Sequence, residues 1–160
     1  LVGSEMCIRD STSIGLWGRA NGKWYRMREY YFDSRKEGRQ RTDEEHYTEL
    51  EKLADGLHIS AVIVDPSAAS FIEVIRRHGR FRVEKASNAV IDGIRNVATR
   101  LQCGDIFICD CCADCIREFG MYRWDEKALM DKPIKENDHS MDDVRYFVHK
   151  VFAPELFSFK

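Results

Sequence analysis

No stretch of this sequence approaches the roughly 18 consecutive apolar residues that a membrane span needs, so a soluble protein without a membrane partner is expected. Residues 1–11 lack the basic flank, apolar stretch and small-residue cleavage site of a signal peptide. An excess of positive charge is missing too. With 25 basic against 27 acidic residues the net charge is -2, which is not the footprint of a protein held to nucleic acid by charge alone. That balance leaves DNA open as a substrate, because a bound metal ion inverts the local sign of a carboxylate cluster. No G-x-x-x-x-G-K-[ST] loop, nucleophile elbow or dinucleotide fingerprint occurs, so the chain carries no phosphate-binding loop of its own. The 3 prolines and 10 glycines are nowhere gathered into a linker, and no internal repeat is found, so 160 residues read as one domain. Without a secretory signal, the 6 cysteines read as reduced thiols rather than a disulfide frame.

What is present alternates. Residues 12–18 and 23–32 are rich in strand formers, and Ala20, Asn21 and Gly22 between them supply a turn, so a β-hairpin is predicted. The polar, basic stretch from 33 to 41 reads as a loop. Thr42 with Glu45 forms a capping box ahead of Tyr47, Leu50, Leu53, Ala54 and Leu57 at helical spacing. The apolar run 59–64 (I-S-A-V-I-V) predicts a buried strand ending on Asp65-Pro66. Ser67 can cap a helix through Phe71, Ile72, Val74 and Ile75, closed by Gly79. A brief strand at 81–84 follows. Ser87 or Asn88 then caps a helix with Val90, Ile91, Ile94, Val97 and Leu101 on one face. A strand at 106–109, a helix over 112–119, a polar loop to Asn137 and a last helix over 139–152 complete the reading. A hairpin followed by strand–helix units implies a single α/β domain, a mixed β-sheet flanked by helices. Residues 1–11 (L-V-G-S-E-M-C-I-R-D-S) show no periodicity and read as a translated adapter or cloning artefact. They are set aside from the fold, and 12–160 is taken as the domain.

Asp65 is the sharpest chemical feature. It ends a buried strand, the place where open α/β sheets build their sites, although an Asp-Pro turn would need the same residue. His139 and Asp142 are three apart, so on a helix they project side by side, as a metal-ligand or acid–base pair would. Acidic residues complementing a helix dipole would look alike. Two-metal nucleases need carboxylates converging from separate elements to hold two ions about 4 Å apart, and a strand-end Asp with a final-helix Asp meets that need. Cys109, Cys111, Cys112 and Cys115 contain one C-x-x-C, but the cluster is compact and has no distant partner pair, so thiols are favoured over zinc. Arg35, Lys36, Arg39 and Arg41, with Arg76, Arg77, Arg80 and Arg82, suit either phosphate contacts or a solvated surface.

Four segments carry a resemblance: T-S-I-G-L-W-G, E-Y-Y-F-D-S-R-K-E-G-R-Q-R-T-D, V-I-V-D-P-S-A and N-D-H-S-M-D-D-V-R-Y. In this order and separation they resemble the C-terminal nuclease domain of phage large terminase subunits, over about residues 12–152. The resemblance implies a ribonuclease-H-like fold. It implies Mg²⁺- or Mn²⁺-dependent cutting of concatemeric double-stranded DNA by two ions during genome packaging. It also implies work in the bacterial host cytoplasm, with the terminase small subunit and the procapsid portal as partners of the full-length protein. Asp65 and Asp142 match metal-binding carboxylates, with His139 close to the metals. Asp143 stands where the family is usually small or apolar and is given no catalytic role. The family's first Asp, on the first strand, has no counterpart in pattern. Glu5 and Asp10 fall near it, and the preceding ATPase domain is absent, so a fragment of weakened activity is expected. The rival readings are a catalytically silent domain that docks DNA or the portal, a small zinc-binding interaction module, and another ribonuclease-H-like enzyme such as a resolvase or transposase.

Overall fold

A computed structural model describes residues 1–7, 11–87, 89–121 and 138–156, the backbone alone for 4–7 and 153–156. Strands β1 (Val2–Cys7), β2 (Ser11–Ala20) and β3 (Lys23–Asp33) come first, then a short helix α1 (Ser34–Glu37) and α2 (Asp43–Leu53). Strand–helix units follow as β4 (Val62–Val64), α3 (Ala69–His78), β5 (Val83–Lys85), α4 (Val90–Gln102), β6 (Ile106–Ile108) and α5 (Ala113–Met121), and α6 (His139–Leu156) closes the fold.

The sheet order is β5-β4-β1-β2-β3-β6. β1, β2 and β3 form an antiparallel meander, whereas β4 runs parallel to β1, β5 to β4 and β6 to β3. This is the mixed sheet flanked by helices that the alternation implies. The hairpin turn at Asn21 and Gly22 has positive φ at both residues, 51° and 77°, the pair that a two-residue connection matching strand twist requires.

Far from lying outside the fold, Val2–Cys7 is an interior strand paired on both sides, and Val2 is wholly buried. Its place in the sheet rests on pairing with β2 and β4, which an apolar pattern does not report. The odd composition of residues 1–11 is a separate matter, which this pairing leaves as it stood.

Two cores lie on the two sheet faces. On one face, Val62 and Val64 of β4 and Ile14 and Leu16 of β2 pack against Leu50 and Tyr47 of α2 and Phe71 and Ile75 of α3. On the other, Ile63 and Trp17 pack against Val144, Phe147 and Val148 of α6, with Val97 of α4 and Cys115 of α5. Trp17 and Phe147 stack with ring centroids 3.9 Å apart and planes almost parallel. Helix α6 is buried on most of its circumference because α4, α5 and the sheet surround it, so its sequence lacks a clean polar stripe.

Smaller departures have local causes. The 33–41 loop contains α1 because Asp33 caps it, accepting from the backbone N–H of Arg35 and Lys36. Helix α3 begins at Ala69 without a side-chain cap, because its N-cap position is Ala68, one residue past Ser67, and alanine has no side-chain acceptor. Helix α4 is capped by no side chain from Ala89, so Ser87 does not serve, and Asn88 lies outside the described residues. Leu57 is exposed, past the end of α2. The polar loop expected before Asn137 also falls outside the described residues, at 122–137.

Candidate active site

Parallel pairing puts the C-terminal ends of β1 and β4 at one edge of the sheet. Antiparallel pairing brings the start of β2 and the end of β3 to the same edge. Asp65 follows β4 there and is only 8 % exposed. One carboxylate oxygen, Oδ1, accepts the N–H of Ser67 at 2.7 Å, and the Asp65 carbonyl accepts the N–H of Ala68 at 3.0 Å. The turn-forming reading of Asp-Pro is therefore correct. It does not displace the other reading, because Oδ2 accepts the hydroxyl of Tyr146 on α6 at 2.6 Å.

Tyr146 lies one helical turn beyond Asp142, and His139 lies one turn before it, so the three share a stripe of α6. Asp142 is 9 % exposed, and its Oδ1 accepts Nη2 of Arg145 at 2.7 Å and Nε at 3.1 Å. Arg145 also donates to the carbonyl of Ala89 at 3.4 Å. Gly93 makes room for this arm, since a Cβ there would stand 2.5 Å from Arg145 Cγ. The ring of His139 is tilted against Tyr31 of β3, with centroids 6.5 Å apart. So Asp65 is joined to α6 through Tyr146, and His139 and Asp142 are held along the same helix. Among the described residues, no three His, Cys, Asp or Glu side chains gather closely enough to hold a metal ion. The two carboxylates are hard oxygen donors of the kind Mg²⁺ or Mn²⁺ prefers, but on their own they make an incomplete set.

The register names the backbone position that would complete it. Ser4 pairs with Val64, so the next residue of β1, Glu5, stands level with Asp65. On its other side Glu5 pairs with Ser13 of β2. Position 5 thus lies between Asp65 and the part of β2 that α6 covers. The spacing of the sequence motifs could not show this while residues 1–11 were left out of the sheet. Asp10 lies outside the described residues.

Asp143, given no catalytic role in the sequence reading, is fully buried. Oδ2 lies 2.7 Å from Nη1 of Arg26 and accepts the hydroxyl of Ser13 at 3.1 Å. Arg26 and Asp143 are both fully buried. Burial pushes the Asp143 carboxyl up to about 7 against the pull of Arg26 and Ser13. Burial opposes the Arg26 charge as well, yet Asp143 and Glu29 keep that guanidinium above its ordinary range. Nothing in the sequence pairs these two residues, which are far apart in the chain and belong to different elements.

Cys111 Sγ donates to the carbonyl of Met27 at 3.1 Å and Cys112 Sγ to that of Arg26 at 3.4 Å. Burial pushes the Cys112 and Cys115 thiols up to about 12. The basic residues mostly find carboxylates. Arg39 pairs with Glu45 at 2.9 Å, Arg41 with Glu49 at 3.1 Å, Arg80 with Glu51 at 3.1 Å and Arg82 with Glu84 at 2.8 Å. Arg76 pairs with Glu73, and Arg77 with Glu44. A laced, solvated surface accounts for them. Among the described residues, no helix is long and apolar enough to cross a membrane.

No family model matches the sequence. The chain is 47% identical to the large terminase of a thermophilic bacteriophage, solved in complex with ADP, with a TM-score of 0.91; the match covers 98% of this chain and 39% of that one. It is 24% identical over 159 residues to the large subunit of the terminase of Escherichia phage T5, covering 94% of this chain and 35% of that protein. The chain therefore spans little more than a third of these relatives. The nuclease domain of the large terminase of bacteriophage SPP1, solved with bound Mn, shares the fold at a TM-score of 0.60 and 16% identity, over 96% of this chain and 86% of that one.

Proposed function

We propose that this chain, which resembles large terminase subunits in sequence and has the ribonuclease-H-like fold of their nuclease domain, is a metal-dependent endonuclease that cuts concatemeric double-stranded DNA during phage genome packaging. The observation that carries the reading is the bond from Tyr146 of α6 to Asp65 at the end of β4. It ties the strand-end carboxylate to the helix that presents Asp142 and His139.

Asp65, Asp142 and His139 would hold Mg²⁺ or Mn²⁺, two ions in the full site, with the β1 position level with Asp65 as the remaining place for a ligand. When bound, such ions polarise a phosphodiester and lower the pKa of a water nucleophile. The chain's own groups do the positioning. Tyr146 fixes one oxygen of Asp65, Ser67 fixes the other, and Arg145 orients Asp142. Such partners of metal ligands are each worth about 10- to 100-fold in metal affinity or activity. The support from neighbours is that the SPP1 domain was solved with Mn. The implied partners are DNA, the small terminase subunit and the procapsid portal, and the implied place is the host cytoplasm.

The test is Mn²⁺ titration by calorimetry, together with plasmid nicking, on the chain as it stands and on Glu5→Asp, Asp65→Ala and Asp142→Ala. Cutting should be slow in the present chain and faster in Glu5→Asp, since the resemblance implies an Asp on the first strand and position 5 stands level with Asp65. Asp65→Ala and Asp142→Ala should each lose roughly 100-fold or more in Mn²⁺ affinity. Unchanged Mn²⁺ binding in both alanine variants would refute the site, and would favour the silent docking domain.

A further inference from the structure

Strands β2 and β3 pair directly except at one place. Leu16 pairs with Arg28 and Trp17 with Arg26, so Met27 is the extra residue of a bulge. Opposed residues of an antiparallel pair share a face, so the bulge separates two arginines that plain alternation would put together. Arg28 goes to the α2 side, where it donates to the carbonyl of Leu53. Arg26 goes to the α6 side and is buried under Trp17.

There it finds a prepared place. Gly15 leaves the space the guanidinium fills, since a Cβ on Gly15 would collide with Nη1. Gly3 does the same for Asp143, whose Oδ1 would collide with a Cβ on Gly3. Ser13 links both partners to the helix start: Nη2 of Arg26 lies 3.3 Å from its Oγ, and that oxygen is 3.1 Å from Ser140 Oγ and from Asp143 Oδ2. The Ser140 N–H, an unpaired donor of the first turn, is taken by Glu118 at 2.6 Å. The first turn of α6 is therefore keyed to the sheet by charge and by direction, in addition to the apolar packing of Val144, Phe147 and Val148.

We propose that Arg26 and Asp143 are positioning residues: their buried pair, turned toward α6 by the bulge at Met27, sets where Asp142 and His139 stand relative to Asp65. The proposal rests on the reading of those three residues as the metal site. Apolar packing alone would let a helix slide or rotate by fractions of a turn, because dispersion contacts have little direction. An ion pair at 2.7 Å in a glycine-lined slot, with Ser13 bonded to its carboxylate, is more tightly located, and a site of this kind tolerates little displacement of its groups.

The test separates position from stability. The double variant Arg26→Met/Asp143→Leu replaces both buried charges with apolar groups and should fold, since such swaps are often neutral or stabilising. Asp143→Asn removes the charge alone. Leu50→Ala, in the opposite core, serves as a destabilised control. Amide exchange of residues 140–144 without metal and Mn²⁺ affinity by calorimetry are measured for all three. The double variant should exchange those amides at least about tenfold faster than the unaltered chain, with residues 147–152 unchanged, and bind Mn²⁺ about tenfold more weakly. Leu50→Ala should bind Mn²⁺ as the unaltered chain does. Unchanged exchange at 140–144 in the double variant overturns the proposal, as does Mn²⁺ affinity within twofold of the unaltered chain. Should the unaltered chain bind no Mn²⁺, the metal-site reading fails, and with it the proposal that the pair sets that site's geometry. The exchange result then shows only whether the pair docks α6.

Discussion

Asp143→Ala is expected to unfold the protein far more readily than Asp142→Ala, although the two residues are neighbours and only Asp142 belongs to the proposed site. Removing the Asp143 carboxylate strands the Arg26 guanidinium in a fully buried position. Breaking a buried pair from one side costs about 3–5 kcal/mol. Glu29 stays at 3.6 Å from Arg26 and offsets part of this, so the lower end, about 3 kcal/mol, is the working figure. That is a large share of the roughly 5–15 kcal/mol that holds a domain together. It corresponds to a fall in Tm of about 6–12 °C for a chain of this size. Asp142→Ala should cost less, about 1–2 kcal/mol, because Arg145, though buried, keeps its bond to the Ala89 carbonyl. Urea unfolding followed by fluorescence measures both; Trp17 is a suitable reporter, stacked on Phe147 and 6.0 Å from Arg26. Arg26→Met/Asp143→Leu should recover most of the loss. A cost below about 1 kcal/mol for Asp143→Ala, or a double variant no better than the single, would refute the reasoning about the buried charge.

The capping box at α2 is complete, with the Thr42 hydroxyl accepting the Glu45 N–H and the Glu45 carboxylate accepting the Thr42 N–H. Thr42→Ala should therefore lower stability by about 1 kcal/mol in denaturant titration, and Thr42→Ser should lower it much less. His46 is buried between the Tyr30 hydroxyl at 3.1 Å and Thr12 Oγ1 at 3.4 Å, and burial lowers its pKa. A depressed folded value means the unfolded chain takes up the proton first, so stability present above about pH 6.5 should fall as the pH drops through that value toward the folded one. His46→Gln should flatten that part of a Tm-against-pH curve, and an unchanged slope would show that His46 titrates alike in both states.

Local signals carried most of the fold. Hydrophobic periodicity, the Thr42–Glu45 box and the Asn21-Gly22 turn are short-range features, and the structure has all three. Long-range pairing was hidden. The partner of Asp143 lies on β3, and its arrival depends on a one-residue bulge that no pattern of apolar residues announces. The role of Tyr146 was missed for a related reason: its i+4 relation to Asp142 is visible in the sequence, but its bond to Asp65 crosses from helix to sheet. The arginine-rich stretches left two readings open, phosphate contacts or a solvated surface, and Glu44, Glu45, Glu49 and Glu51 of α2 stand beside four of these arginines.

The front strand shows why composition is a poor guide to a buried interior strand. V-G-S-E-M-C has neither the alternation of a half-exposed strand nor the branched residues of a parallel core, yet β2 and β4 give it hydrogen-bond partners on both sides. Two of its requirements are nonetheless met. Val2 fills the core beneath α2 and α3, and Gly3 leaves the space that Asp143 occupies. A larger residue at position 3 would push Asp143 away from Arg26 and would lift the first turn of α6 off the sheet. The same strand that brings position 5 level with Asp65 therefore also governs, through Gly3, how closely Asp142 can approach. Substitutions in strand β1 can therefore reach the proposed site in two ways, through the position level with Asp65 and through the room left at Gly3.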